Sequence, residues 1–323
     1  MSKNRQGVFE SKTFGKLGAV GFYLLLAIGL FYAASNMNYS WKWNSVPKYF
    51  AYEKIETIPA DFDGTVELKK KQLILTGSDG EKKVYPIVDN YQPAVDDGDD
   101  IYSGDSVLEK KHWVSGPLVN GLIVTLKISA LGGLIAFFFA TILAFMRISK
   151  FPILQYIASS YITVIRGTPL LVQIFIFYFI IATIFDLPRF YAGAMSLGLF
   201  YAAYIAEVLR GAIQSIDKGQ HEAAKSLGMN YVQTMSAIIM PQALKRALPA
   251  LVGEVIALVK DSSLVSVISI TDLTKVGREI VANTFSPFET WLVVALMYFA
   301  ITSILSFAGH RWEQKMKLRG GMS

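Results

Sequence analysis

Six apolar blocks of bilayer length, at 16–35, 118–146, 169–185, 191–208, 251–270 and 291–307, decide what this chain can fold into. A helix crossing hydrocarbon needs about 20 such residues, because no water is present there to satisfy a broken backbone. With 53% hydrophobic residues and a mean hydropathy of +0.40, the chain is too apolar for an ordinary soluble domain. The expected fold is an all-α polytopic membrane protein with about six transmembrane helices. The first block outruns the apolar core of a secretory signal, and A-A-S-N-M-N after it is a poor cleavage site, so it reads as a retained helix.

Orientation follows from lysine and arginine in short loops. Lys3, Arg5, Lys12 and Lys16 precede the first block, and Arg147 and Lys150 follow the second. Arg210, Lys218, Lys225, Lys245 and Arg246 surround a polar loop, and Arg311, Lys315, Lys317 and Arg319 close the chain. Six crossings put all four groups on one side, the cytoplasm, with both termini. The opposite short loops hold Arg189, Lys275 and Arg278. The net charge of +6 thus reflects cytoplasmic loops facing anionic lipid, and no basic run has the interleaved aromatics of a nucleic-acid groove.

The expected organisation is a tail and first helix over 1–35, an external insert over 36–114, a membrane core over 115–316 and a short tail over 317–323. Within the insert, 65–75 and 83–88 have strand composition around the turn Gly77-Ser78-Asp79-Gly80, which predicts a small β-hairpin unit. The acidic run 96–105 lacks the spacing and closing Glu of a calcium loop and reads as a solvated loop.

The loop 217–241 is polar yet patterned like two capped helices. Asp217 with Gln220, and Asn230 with Gln233, have cap spacing, and Gly228 between them suits a left-handed turn. Ala224, Leu227, Tyr231, Met235 and Ile238 recur at helical spacing as one apolar stripe. Such a stripe serves either the bilayer surface or a soluble partner.

Charges inside the spans are the other departure from a plain membrane helix. Glu207 and Arg210 lie three apart on one face. Glu254 and Asp261 are two turns apart and share a face that Lys260 cannot share; Ser262 and Ser263 add hydroxyls. An ionisable group at a helix centre costs about 3 kcal/mol on insertion scales, so these groups either pair between helices or line a polar path for a zwitterionic solute. Thr168 and Pro169, after Arg166-Gly167, suit a helix start. Asn120-Gly121, Thr125 and Ser129 permit close packing of the second block.

The chain has no cysteine and no phosphate-cradling G-x-x-x-x-G-K-[ST]. His112, His221 and His310 are scattered and form no metal set. Neither an active site nor a cofactor is expected.

The segment Glu222-Ala223-Ala224, Gly228, Ile238 and Met240-Pro241 resembles the E-A-A loop of ABC importer permeases, with Met in place of Leu. N-G-L-I-V-T-L-K-I-S, I-R-G-T-P-L-L-V-Q-I-F, A-A-Y-I-A-E-V-L-R-G-A-I-Q-S-I-D-K-G-Q and L-V-K-D-S-S-L extend the likeness over 115–316, to the polar amino-acid subgroup of histidine, glutamine and glutamate type. Gly253 stands where that family often has Asn, and the insert with its leading helix lies outside the family's five-helix core.

The resemblance implies a transport subunit of the bacterial inner membrane that hydrolyses nothing itself. Its implied partners are an ATPase dimer, a second identical or related permease and an external solute-binding protein. Glu222, Ala223, Ala224, Gly228 and Pro241 are implied to couple it to the ATPase. Glu207, Glu254, Lys260, Asp261, Ser262, Ser263 and Thr168 are the candidate substrate path. An ion-coupled carrier would also place charges in its spans, but such folds often carry inverted repeats and none is visible here. A sensor would need a larger cytoplasmic output domain than these loops supply.

Overall fold

The computed structural model describes residues 12–37, 39–88 and 90–318. The molecule divides into two units, 1–43 and 44–323.

In the first unit, α1 (Lys12–Ser35) contains Gly15–Ser35, a stretch of mean hydropathy 2.0 that is long and apolar enough to cross a membrane. Tyr39, Trp41 and Trp43 follow at alternate positions, with ring centroids 5.3 and 5.9 Å apart. Tyr and Trp favour the boundary between hydrocarbon and water. Lys3, Arg5 and Arg319 lie outside the described residues.

The second unit begins with α2 (Val46–Phe50) and a β region: β1 (Ala51–Pro59), β2 (Gly64–Lys69), β3 (Gln72–Gly77), β4 (Lys82–Pro86), β5 (Gln92–Pro93), β6 (Asp100–Ile101) and β7 (Ser106–Ser115). They form two antiparallel sheets, ordered β1-β7-β5 and β4-β3-β2-β6. The stretch 65–75, expected as one strand, is two: β2 and β3 pair through Lys69↔Gln72 around a turn at Lys70-Lys71. Val66, Leu73, Leu75, Tyr85, Val107 and Leu108 form its core. Acidic side chains of the following loop accept from backbone amides, Asp97 from Leu68 and Asp105 from Tyr102, and among the described residues no cluster suits a metal ion. Gly116 lies so near the Tyr49 carbonyl that a Cβ there would sit 2.3 Å from it, which joins α2, the end of β7 and the next helix.

That helix, α3 (Pro117–Ile148), is the spine. It packs along α6 (Arg189–Gln214) through small residues: a Cβ on Gly198 would lie 2.5 Å from Ile135, and Ala136, Ala140 and Ala144 are fully buried or nearly so. In lipid no hydrophobic force pulls helices together, so close backbone approach supplies the packing. The small residues at the head of α3 act as expected. A Cβ on Gly121 would lie 2.9 Å from Val276, and the Thr125 hydroxyl accepts from the Leu273 amide at 3.1 Å.

Two expected spans are redrawn. The block 169–185 is half of a bent pair: α4 (Pro152–Arg166) meets α5 (Leu170–Ile176) and its π-helical continuation Phe177–Ala182 at 109°. Pro169 makes the break, since its ring disfavours helix in the residue before it. The block 251–270 starts inside α9 (Met240–Asp261), runs past its end and continues as a 3-10 turn, Ser262–Ile268. Among the described residues four helices are long and apolar enough to cross a membrane, Gly15–Ser35, Pro117–Ile148, Arg189–Gln214 and Pro287–Lys315, or up to five if the bent pair is one span. α9 fails that test because it carries Lys245, Arg246, Glu254, Lys260 and Asp261. The remaining helices are α7 (Lys218–Ser226), α8 (Tyr231–Gln233), α10 (Leu273–Thr284) and α11 (Pro287–Leu318).

Candidate functional site

Two groups of residues carry the chemistry, one at the foot of α9 and one along its upper half.

At the foot, α7 is a short helix exposed along most of its length. Asp217 caps it by accepting from the Gly219 amide at 2.7 Å. Gln220 does not complete a capping box there; its side-chain oxygen instead accepts from Gln242 at 3.2 Å. Gly228 ends the segment at φ +78°, where a side chain would be strained. Asn230 and Gln233 do form a reciprocal capping box. From Tyr231 the chain stays helical to Asp261, interrupted by a π turn, Thr234–Ile239. Pro241 explains the turn: it cannot donate to the carbonyl four residues back, and the wider turn takes up the clash.

The expected apolar stripe is split by this geometry. Ala224 and Met235 are buried, while Leu227 and Tyr231 are 81% and 59% exposed. The reversal at Gly228 turns the second helix away from the first, so helical spacing does not continue across it. Ala224 faces inward, where its small side chain lets α7 lie close to the rest of the molecule; Glu222, Ala223 and Gly228 face out.

Higher on α9, the Tyr201 hydroxyl donates to Asp261 Oδ2 at 2.7 Å. Tyr204 lies one turn along, with the Arg166 guanidinium 5.2 Å from its ring centroid. The Tyr201 and Tyr204 rings lie 6.2 Å apart, which joins these two contacts. Carboxylates from α9, phenols from α6 and a guanidinium from the end of α4 thus form one polar strip. Glu254 and Asp261 are both half-buried, and Lys260 points outward, as their spacing requires.

Other expected path residues are occupied elsewhere. Glu207 joins Arg210 at 2.7 Å and Arg147 at 3.3 Å, tying α6 to α3. Ser262 is fully buried and donates to the Val259 carbonyl at 2.8 Å. Thr168 does not cap α5: its hydroxyl donates back to Val164 and accepts from Gln173, closing the end of α4. Ser263 is half-buried.

Tyr201, Tyr204, Gln173 and Gln242 were not singled out in the sequence. Hydroxyls at Tyr201 and Tyr204, three apart in an alanine-rich span, were the available signal; nothing local marks the other two.

A profile of the family described as "binding-protein-dependent transport system inner membrane component" matches residues 132–318. The arginine transport system permease protein ArtQ of Bacillus subtilis is 37% identical over 202 residues, 62% of this chain and 92% of that protein. The glutamine transport system permease protein GlnP of Escherichia coli is 39% identical over 210 residues, 64% of this chain and 96% of its own length. Among solved structures, an amino acid ABC transporter crystallised with histidines is 40% identical, with a TM-score of 0.57, covering 62% of this chain and 94% of that one. The methionine transporter MetNI, at 20% identity and a TM-score of 0.55 over 62% of this chain and 95% of its own, shares the fold.

Proposed function

The chain belongs to the family of binding-protein-dependent inner-membrane transport components, and from that premise we propose that it moves polar amino acids inward. It is the permease subunit of an ABC importer. In our reading, hydrolysis resides on a separate ATPase dimer, a second permease completes the pore, and a solute-binding protein delivers the substrate from outside.

The observation that carries this reading is the exposed, Asp217-capped α7 ending in the left-handed Gly228. A membrane subunit without a phosphate loop can respond to ATP only through a surface whose fit to the ATPase differs between states. Residues 222–228 are that surface. Glu254 and Asp261 with Tyr201 would hold the cationic end of a zwitterion, and Arg166 its carboxylate, while Glu207 braces the bundle.

The same reading gives six crossings: α1, α3, the bent pair, α6, α9 with its 3-10 continuation, and α11. α9 can cross despite its charges because Glu254 and Asp261 face a polar strip and not lipid. Both termini then lie in the cytoplasm and the β region lies outside, where it contacts the binding protein or collars the pore.

The test is co-purification with the ATPase and uptake by the reconstituted assembly. Gly228→Asp should abolish both; a variant that docks and transports normally would remove residues 222–228 from the coupling role.

A further inference from the structure

The route from α7 to α9 along the backbone is compliant. It reverses at Gly228, restarts at Asn230 and passes through the π turn Thr234–Ile239. A push on α7 would be absorbed by these bends before reaching the strip around Glu254 and Asp261.

Two side chains of α9 bridge that detour. Gln242 Nε2 donates to Gln220 Oε1 of α7 at 3.2 Å and to the Ile238 carbonyl, in the π turn, at 2.9 Å. The second bond orients the first: the amide that satisfies the π turn is held pointing at α7. One turn on, Arg246 Nη1 donates to the Ser215 carbonyl and lies 3.2 Å from its hydroxyl. Ser215 is the C-cap of α6, where unpaired carbonyls and the helix dipole favour a cation. The contacts at Ser215 and Gln220 straddle Asp217, so both ends of the α6–α7 corner are fastened to the foot of α9.

We propose that Gln242 and Arg246 are positioning residues that carry the displacement of the α6–α7 corner directly into α9, bypassing the Gly228 reversal and the π turn. Gln220 is the matching contact on α7. Above the clasp α9 is regular α-helix to Asp261, with Pro249 inside it. Glu254 lies about 18 Å further along the axis at 1.5 Å per residue, so a shift of the foot reaches the carboxylates through continuous helix, in which Pro249 leaves one backbone bond unmade. The inference rests on the assignment of residues 222–228 to the ATPase contact.

The test uses the complete reconstituted importer and reads amino acid transported per ATP hydrolysed, alongside ATPase co-purification. Gln220→Ala should leave the ATPase bound and hydrolysing while transport per ATP falls about threefold, as suits one exposed neutral hydrogen bond. Arg246→Gln should lower the ratio further. The paired variant Gln220→Glu with Gln242→Lys, which replaces the hydrogen bond by an ion pair, should restore it. An unchanged ratio in Gln220→Ala overturns the clasp, and so does a lowered ratio that the paired variant does not restore. Loss of the ATPase from Gln220→Ala also overturns it, since the contact would then serve docking. Failure of the coupling assignment is read separately, from Gly228→Asp retaining both docking and uptake.

Discussion

Asp261 accepts a 2.7 Å hydrogen bond from the hydroxyl of Tyr201, sixty residues away on another helix. The bond closes the upper end of the polar strip and fixes the carboxylate against α6. Tyr201→Phe leaves the ring and its packing but removes the donor. A hydrogen bond to a charged group is worth about 1.5–3 kcal/mol. Uptake should therefore fall about ten- to a hundredfold, with ATPase co-purification retained, as measured in reconstituted vesicles.

Glu254 supplies the second carboxylate of the strip, two turns from Asp261 on the same face of α9. Glu254→Gln preserves shape and removes charge. Affinity should drop about tenfold for neutral and cationic amino acids alike, because the α-ammonium that this carboxylate would hold is common to both and a charge-assisted bond is about twice as strong as a neutral one. Competition uptake across a panel of amino acids measures the drop.

The Glu207 carboxylate is 19% exposed and shared by Arg210 and Arg147, each 26% exposed. Glu207→Ala leaves two cations facing each other between α3 and α6. Breaking a fully buried pair costs about 3–5 kcal/mol; partial exposure lowers this to about 2 kcal/mol. Thermal unfolding in detergent should show the loss, and Arg147→Met combined with Glu207→Ala should recover part of it.

In the β region, Lys83 and then the Tyr85 hydroxyl hold the Asp61 carboxyl below its ordinary value. Its contribution to stability is present above the unfolded carboxylate value, near pH 4, and is lost as pH falls through the lowered one. Burial, then Asp61, pushes the Tyr85 phenol up to about 12. That contribution is complete below about pH 10 and is lost as pH rises towards 12. Hydrogen exchange of β3 and β4 should accelerate at both extremes, and Asp61→Asn should remove the acid limb.

Ala60 and Asp105 are hydrogen-bonded across the neck of the β region, Ala60 N to Asp105 O at 2.7 Å. Residues 61–104 can thus be replaced by a short turn without parting β1 from β7. The shortened chain should still bind the ATPase and should lose most uptake from the binding protein. Full uptake would remove the delivery role of this region.

What the sequence disclosed follows from the range of each interaction. The Asn230–Gln233 box and the left-handed Gly228 were legible because caps and turns depend on neighbouring residues. The α3 contacts at Gly121 and Thr125 were legible as small and hydroxyl residues in a greasy span. Long-range pairings were not: Asp261 with Tyr201, Arg166 over Tyr204, and Gln220 with Gln242 each join separate helices. The 251–270 block misled because hydropathy has no knowledge of where α9 ends or which side of it faces protein. The 65–75 stretch misled because Lys70-Lys71 turns without glycine or proline.

The role proposed for α7 is to let a separate cytoplasmic ATPase drive this subunit. Uptake of radiolabelled amino acids into vesicles holding permease, ATPase and binding protein, with ATP and the ion gradients varied separately, tests it most directly. Uptake should require hydrolysable ATP and persist when ionophores collapse the gradients. Uptake that continues without ATP and stops with the ionophore would contradict it.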